Sequence, residues 1–393
     1  MSGPRAAITG LGAMSGFGAG VDLLWSSLVD GRRAMVEQAE LTQAGLKVGP
    51  VALCPSVPFD APARASQLAL SAAREALADA GEPARDLRFG LTCGTTLGGI
   101  SSWLRAVRDD DAHATHHGHE FPPRRWSWAG PAQVVAEGLR LRGPVEVTSV
   151  ACASGNAALG SALDLIRLGV CDVVMAGGVD SLHDFVISGF GCLKAVDSGP
   201  CRPFDKSRRG LNLGEGAAFL VVESEAHARA RGARIRAFLD GYGIAADAVH
   251  MTGPDREGRG AARAMNAALT DAHARASEID YVSAHGTATV FNDLMEGKAL
   301  AQVLGDRAAS TPVNSIKGAL GHTLGAAGAL EAVVCVRTLE TGQVTPTPGL
   351  QELDPEIHLD VVRDQPRAVN ARVALSTSSG FGGTNAAVLF RKV

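Results

Sequence analysis

Cys152 stands where a thiol could act as a nucleophile. It lies between a β-favouring run, residues 145–150, and an alanine-rich stretch of helical composition, residues 153–167. The pattern predicts a strand, a tight turn and a helix, with the sulfur at the helix mouth. Its small neighbours Ala151, Ala153, Ser154 and Gly155 let another chain or a substrate approach closely. The free N–H groups of a first helical turn and the helix dipole favour negative charge, so the thiol is expected to have a lowered pKa. Taken alone, such a cysteine reads equally as a small buried hydrophobe.

Three further stretches carry groups that complement a nucleophile. A strand at 281–284 runs into His285-Gly286-Thr287-Ala288-Thr289. A strand at 312–314 leads through Lys317 and Gly318 to Gly321-His322, then to a glycine-alanine run and Glu331. Residues 378–385, SSGFGGTN, form a turn with bare backbone N–H groups suited to holding an oxyanion. Side chains after strand ends in α/β folds converge on a crevice, where active sites form. Singly, each histidine also reads as structural, the glycine turn as a hairpin and Lys317 as a solvated amine. Their combination and order favour the chemical reading.

These groups need a scaffold of strands alternating with helices, and the sequence supplies one. Helical patterns at 63–80, 153–167, 260–273, 293–304 and 325–340 alternate with strands at 89–96, 145–150, 173–176, 217–223, 235–242, 281–284, 312–314, 372–377 and 385–390. The expectation is an α/β duplication with a largely buried sheet in each half, residues 1–233 and 234–393. Near the start, residues 5–10 predict a strand entering a glycine-rich turn. Its spacing, GLGAMSG, is not the GxGxxG of a dinucleotide site.

Composition excludes other classes. The chain has 393 residues, enough for a large core, and its net charge of −4 lacks the basic excess of a nucleic-acid binder. Seven cysteines show no CxxC and no paired spacing, so neither a disulfide framework nor a cysteine zinc site is expected. His113, His116, His117 and His119 invite a metal reading. They sit in a polar, loop-like stretch, 109–128, where solvation is the simpler account. The N-terminus reads as strand plus turn rather than a signal peptide, no run spans a membrane, and a reducing cytoplasm fits.

ITGLGAMSGFG, VACASG, CRPFDKSRRG, GEGAAFLVVE, VSAHGTAT, NSIKGALGHTLGAAGALEA and GFGGTN, in this order, resemble the β-ketoacyl-acyl-carrier-protein synthases. The likeness extends to the elongating type II enzymes of fatty acid synthesis and to polyketide ketosynthases. It spans essentially the whole chain. The resemblance implies the thiolase fold, two duplicated halves in five αβαβα layers, usually as a homodimer. It implies Cys152 as the residue that takes the acyl chain, His285 and His322 as the pair that assists malonyl decarboxylation, and Lys317 with Glu331 as a buried supporting pair. The oxyanion would be held by the N–H groups of Cys152 and Ser379. Thr287, Thr289, Phe381 and Trp103 are expected to line the substrate pocket. Arg124, Arg125, Lys206, Arg208 and Arg209 are candidates for docking an acidic acyl carrier protein. Acyl and malonyl thioesters are the implied substrates, with no metal and no redox cofactor.

Two departures stand out. Ser379 occupies the position of the family's gating phenylalanine, and Trp103 replaces a smaller residue of the acyl channel. They lean toward specialised synthesis. The alternatives are an acyl-CoA thiolase, which would carry a second cysteine near the C-terminal glycine turn, and a non-catalytic chain-length partner, which would lack Cys152. An active subunit paired with such a partner stays open.

Overall fold

The computed structural model describes residues 3–38, 48–59, 61, 63–86, 88–100, 102, 104 and 127–393. The N-terminal half runs β1 (Ala6–Ser15), β2 (Gly18–Ala19), α1 (Val21–Val29), α2 (Arg64–Asp79), β3 (Phe89–Gly94), α3 (Gly130–Leu139), β4 (Val145–Thr148), α4 (Ser154–Arg167), β5 (Val173–Asp180), α5 (Asp184–Cys192), β6 (Gly216–Ser224) and α6 (Glu225–Ala230). The C-terminal half runs β7 (Ala237–Ala246), α7 (Arg259–Asp271), β8 (Tyr281–Ser283), α8 (Val290–Leu304), β9 (Pro312–Asn314), α9 (Lys317–Leu320) and α10 (Ala327–Thr341). It ends with the short strands β10 (Gln343–Val344), β11 (Asp360–Val361) and β12 (Arg367–Ala368), then β13 (Val373–Gly380) and β14 (Thr384–Arg391).

The two halves repeat one topology. In the first the strand order is β4-β3-β5-β6-β1, and in the second β9-β8-β13-β14-β7. In each, three parallel strands are followed by two antiparallel additions. The sheets are not separate: β1 pairs with β7 through Ala6–Leu239, Ala7–Phe238 and Ile8–Ala237, which joins them edge to edge.

Strand alternation builds the layers. In β6, Leu220 and Val222 face a core shared with Leu163 of α4 and Val333 of α10, while Phe219 and Val221 face Leu68 and Ala72 of α2. In β14, Val388 and Phe390 enter that same shared core, while Ala387 and Leu389 face Met265 of α7 and Leu300 of α8. Both sheets are therefore covered on both faces, and α4 with α10 forms the layer between them. Each buried Leu, Val or Phe contributes about 1.5–3 kcal/mol of burial. This is the five-layer, duplicated arrangement of the thiolase fold.

Of the glycines expected in a turn after residue 10, Gly10 and Gly12 lie instead inside β1, and the turn itself comes later, at Gly16 and Phe17 before β2. A Cβ on Gly10 would stand 2.1 Å from the Ala76 carbonyl oxygen, and one on Gly12 would stand 2.0 Å from that of Ala72. Their function is the close approach of α2 to the strand, a packing requirement that resembles turn composition in sequence.

Candidate active site

The site forms where equivalent strands of the two halves end. After β4, the chain turns through Ala151, held at φ 52°, and presents Cys152 two residues ahead of α4. A non-glycine residue in that region costs on the order of 1–3 kcal/mol, and a local network holds it. The Ser154 Oγ accepts from the Val150 N–H at 2.9 Å and donates to the Ala151 carbonyl at 2.5 Å. The small residues after Cys152 serve the crossing of α4 and α10. A Cβ on Gly155 would meet the Ala329 nitrogen at 2.7 Å, and one on Gly328 would meet the Asn156 nitrogen at 2.7 Å.

His285 follows β8. Its N–H and that of Gly286 each donate to the Glu296 carboxylate at 2.7 Å, and the Thr377 hydroxyl donates to the same group at 2.8 Å. One buried carboxylate on α8 thus fixes the histidine turn and β13 together. His322 follows α9 and lies edge-on to His285, with ring centroids 5.1 Å apart.

The tautomers follow from the partners. Lys317 Nζ lies 3.2 Å from His285 Nδ1 and is ion-paired with Glu331. An ammonium has only hydrogens to offer, so Nδ1 accepts and Nε2 carries the proton. The backbone N–H of Leu324 donates to His322 Nδ1 at 3.2 Å, which protonates Nε2 there as well. Burial, with Lys317 and His322 nearby, holds the His285 imidazole well below the usual histidine range. Burial and Lys317 do the same to His322. Both rings are neutral near pH 7 and present Nε2–H donors.

The thiol departs from expectation. Burial pushes Cys152 up to about 12, with Lys317 and its own N–H working in the opposite direction. The sulfur lies ahead of the helix and is desolvated, so burial outweighs the favourable dipole. Cys93 is pushed up to about 12 and Cys201 to about 11 for the same reason, so thiol acidity does not single out the nucleophile. The cleft does. Cys152, His285, His322, Thr287 and Ser379 line a cavity of about 470 Å³, which Thr289 and Phe381 also border. Phe381 stacks on Phe190 of α5, with centroids 5.6 Å apart. Gly380, at the end of β13, lies so near the nucleophile turn that a Cβ there would stand 3.2 Å from the Cys152 nitrogen.

Lys317 is not a solvated amine: it is 2% exposed. Arg208 is not a docking residue. Its side chain is buried, ion-paired with Asp293 and Asp354, and donates to the Asp205 and Val290 carbonyls. Lys206 and Arg209 are exposed, beside Glu352 and Asp197 respectively, and Arg209 borders the cleft. Trp103, Arg124, Arg125 and the cluster of His113, His116, His117 and His119 lie outside the described residues. Among the described residues no group of histidine, cysteine and carboxylate side chains is arranged to hold a metal, and no helix is long and apolar enough to cross a membrane.

Several buried carboxylates are not apparent in the sequence, and three of them brace the turns of the site. Besides Glu296, Asp293 receives the N–H groups of Phe204 and Ala288. Asp180, at the end of β5, receives the Thr95 hydroxyl and the N–H groups of Thr96, Leu97 and Gly325. The signal for the first pair was their spacing of three, which puts both on one face of α8 beneath the HGTAT turn.

A buried thiol beside two neutral imidazole donors on a thiolase fold defines an acyltransferase of the condensing type. The family model "Beta-ketoacyl synthase, N-terminal domain" matches residues 59–228 and "Beta-ketoacyl synthase, C-terminal domain" matches residues 236–351, and the chain belongs to this family. It is 39% identical to Nodulation protein E of Rhizobium meliloti (strain 1021), over 99% of each chain. It is 36% identical to 3-oxoacyl-acyl-carrier-protein synthase 2 of the same strain, again over 99% of each. A solved type II polyketide ketosynthase, bound to the hexaketide and in complex with its acyl carrier protein, superposes with a TM-score of 0.92 at 31% identity, covering 100% of both chains.

Proposed function

We propose that Cys152 accepts an acyl chain from an acyl carrier protein thioester and that the site then extends this chain by decarboxylative condensation with a malonyl carrier thioester. The observation that carries this reading is the convergence of Cys152 with two Nε2–H donors on one cleft. In the first step the sulfur attacks the acyl carbonyl, the carrier thiolate leaves, and the thiol proton goes to it. The N–H groups of Cys152 and Ser379 stabilise the tetrahedral oxyanion. In the second step the malonyl unit loses CO2. The electron pair passes to its thioester oxygen, where His285 and His322 donate, and one well-placed donor is worth about 3 kcal/mol. The enolate carbon attacks the acyl thioester, and Cys152 leaves with its bonding pair and regains a proton. The product is a 3-oxoacyl chain on the carrier, two carbons longer.

The relatives include both a polyketide ketosynthase and a 3-oxoacyl-acyl-carrier-protein synthase, and it is the departures at Ser379 and Trp103 that lean this reading toward specialised synthesis. Lys206 and Arg209 are the docking cations this reading keeps. β4 is an edge strand with Val145 exposed, which favours a second subunit there, a copy of this chain or a related partner. The seven cysteines are all free, which supports the cytoplasm. The test is malonyl carrier decarboxylation by H285A and H322A. Each is expected to fall about a hundredfold, and unchanged rates in both would contradict the assigned roles.

A further inference from the structure

Ser379 stands opposite Asn385 in the β13–β14 ladder, and its hydroxyl lies 2.7 Å from Asn385 Oδ1. The direction of this bond is fixed by what lies beyond. Asn385 Nδ2 is 2.7 Å from Asp247 Oδ1, and a carboxylate there can only accept. The amide must present its nitrogen to Asp247 and its oxygen to Ser379, so the serine donates. Asp247 is itself anchored: its second oxygen accepts from the Asp255 N–H at 3.1 Å, and its own N–H donates to the Gly383 carbonyl at 2.7 Å. The Gly382 N–H donates to the Met251 carbonyl at 2.7 Å. The loop after β7 that these bonds hold contributes Asp247, His250, Thr252 and Pro254 to the cleft that contains Cys152.

We infer that Ser379 is a positioning residue, a latch that ties the oxyanion-side turn to the 247–254 loop. Through Asn385 and Asp247 its hydroxyl fixes both the N–H it presents beside Cys152 and the loop that borders the cleft. A side chain without a donor leaves Asn385 Oδ1 unpaired and both elements free to part. Water then reaches the acyl thioester on Cys152, and the tetrahedral intermediate of condensation loses a fixed oxyanion site. This inference rests on the acyl-enzyme chemistry proposed above.

The test compares the parent chain with S379A and S379T. Each is loaded with an acyl carrier thioester, then split between buffer and malonyl carrier thioester. Intact-mass spectrometry follows the Cys152 adduct, and chromatography follows free acid and 3-oxo product. S379A is expected to take up the acyl chain more slowly, because the same N–H serves that step, and once loaded to hydrolyse its adduct about fivefold faster and condense about fivefold more slowly, while S379T restores the parent ratio. A structural loss of active enzyme would lower both outcomes together and leave their ratio unchanged. Should S379A fold poorly, S379V, which keeps the shape of the threonine variant but has no donor, carries the same comparison. An S379A or S379V ratio equal to the parent's, or an S379T ratio no better than alanine's, overturns the latch. Absence of any adduct on the parent Cys152 overturns the acyl-enzyme reading instead.

Discussion

Lys317 Nζ lies 3.2 Å from His285 Nδ1 and is bound on its other side to the Glu331 carboxylate. A buried ammonium thereby reaches the reaction through the tautomer of a neighbouring ring. It need not touch substrate. Replacing it removes the cause of the Nε2–H, and K317A is expected to lower malonyl decarboxylation about a hundredfold. It also strands a buried carboxylate, which costs about 3–5 kcal/mol. The double variant K317M/E331L separates the two effects: denaturant unfolding should show recovered stability, while decarboxylation stays low.

The desolvated thiol makes a kinetic prediction. With Cys152 pushed up to about 12, its thiolate fraction climbs throughout the accessible range. Alkylation of Cys152 by iodoacetamide should rise about tenfold per pH unit from about pH 7 to about pH 10. A plateau near the ordinary cysteine value of about 8.5 would show that burial does not hold this thiol above the usual range.

Stability should respond to the two histidines. Each is held below the usual range in the folded chain, whereas an unfolded histidine titrates near about 6.5. Below that value the unfolded state binds protons that the folded state refuses. Their contribution is therefore complete above about pH 6.5 and is lost as pH falls through and below it. Urea midpoints should decline below pH 6.5 more steeply for the parent than for H322N. Malonyl decarboxylation, which needs neutral rings, should show no inflection at about 6.5.

Arg208 and Arg209 are adjacent but should behave oppositely. R208A leaves Asp293 buried without its cation and is expected to cost about 3 kcal/mol in unfolding free energy. R209E reverses an exposed charge at the cleft mouth and should raise KM for the carrier thioester several-fold, with kcat and stability held.

Gly12 tests the packing of the scaffold. G12A places a Cβ 2.0 Å from the Ala72 carbonyl oxygen, and neither backbone can yield without moving α2 or β1. A loss of about 3 kcal/mol is expected by denaturant unfolding.

How far the sequence reaches is clear from these residues. Cys152 and His285 are legible as cleft residues because each follows a recognisable strand, and His322, which follows the short helix α9, because it shares their setting of small residues that build turns. The duplication was legible because strand and helix patterns recur. Gly10 and Gly12 were misread because close packing and turns call for the same residue. The thiol's acidity was misjudged in sign because burial cannot be read from a local pattern, and it outweighs the helix terminus. Arg208 looked like a surface cation in a basic run, yet Asp293 and Asp354, both remote in the chain, draw it inside. Glu296 and Asp180 were hidden similarly, since their partners are backbone N–H groups that only the folded turns bring to them.

The central claim is that Cys152 carries the growing chain. The most direct measurement is intact-mass and peptide-mass analysis of the enzyme incubated with an acyl carrier thioester, followed by malonyl carrier thioester. One acyl adduct is predicted on the peptide containing Cys152. It should be consumed on malonyl addition, as a 3-oxo product two carbons longer appears. An adduct on another residue, or product formation by C152A at the parent rate, would contradict the account.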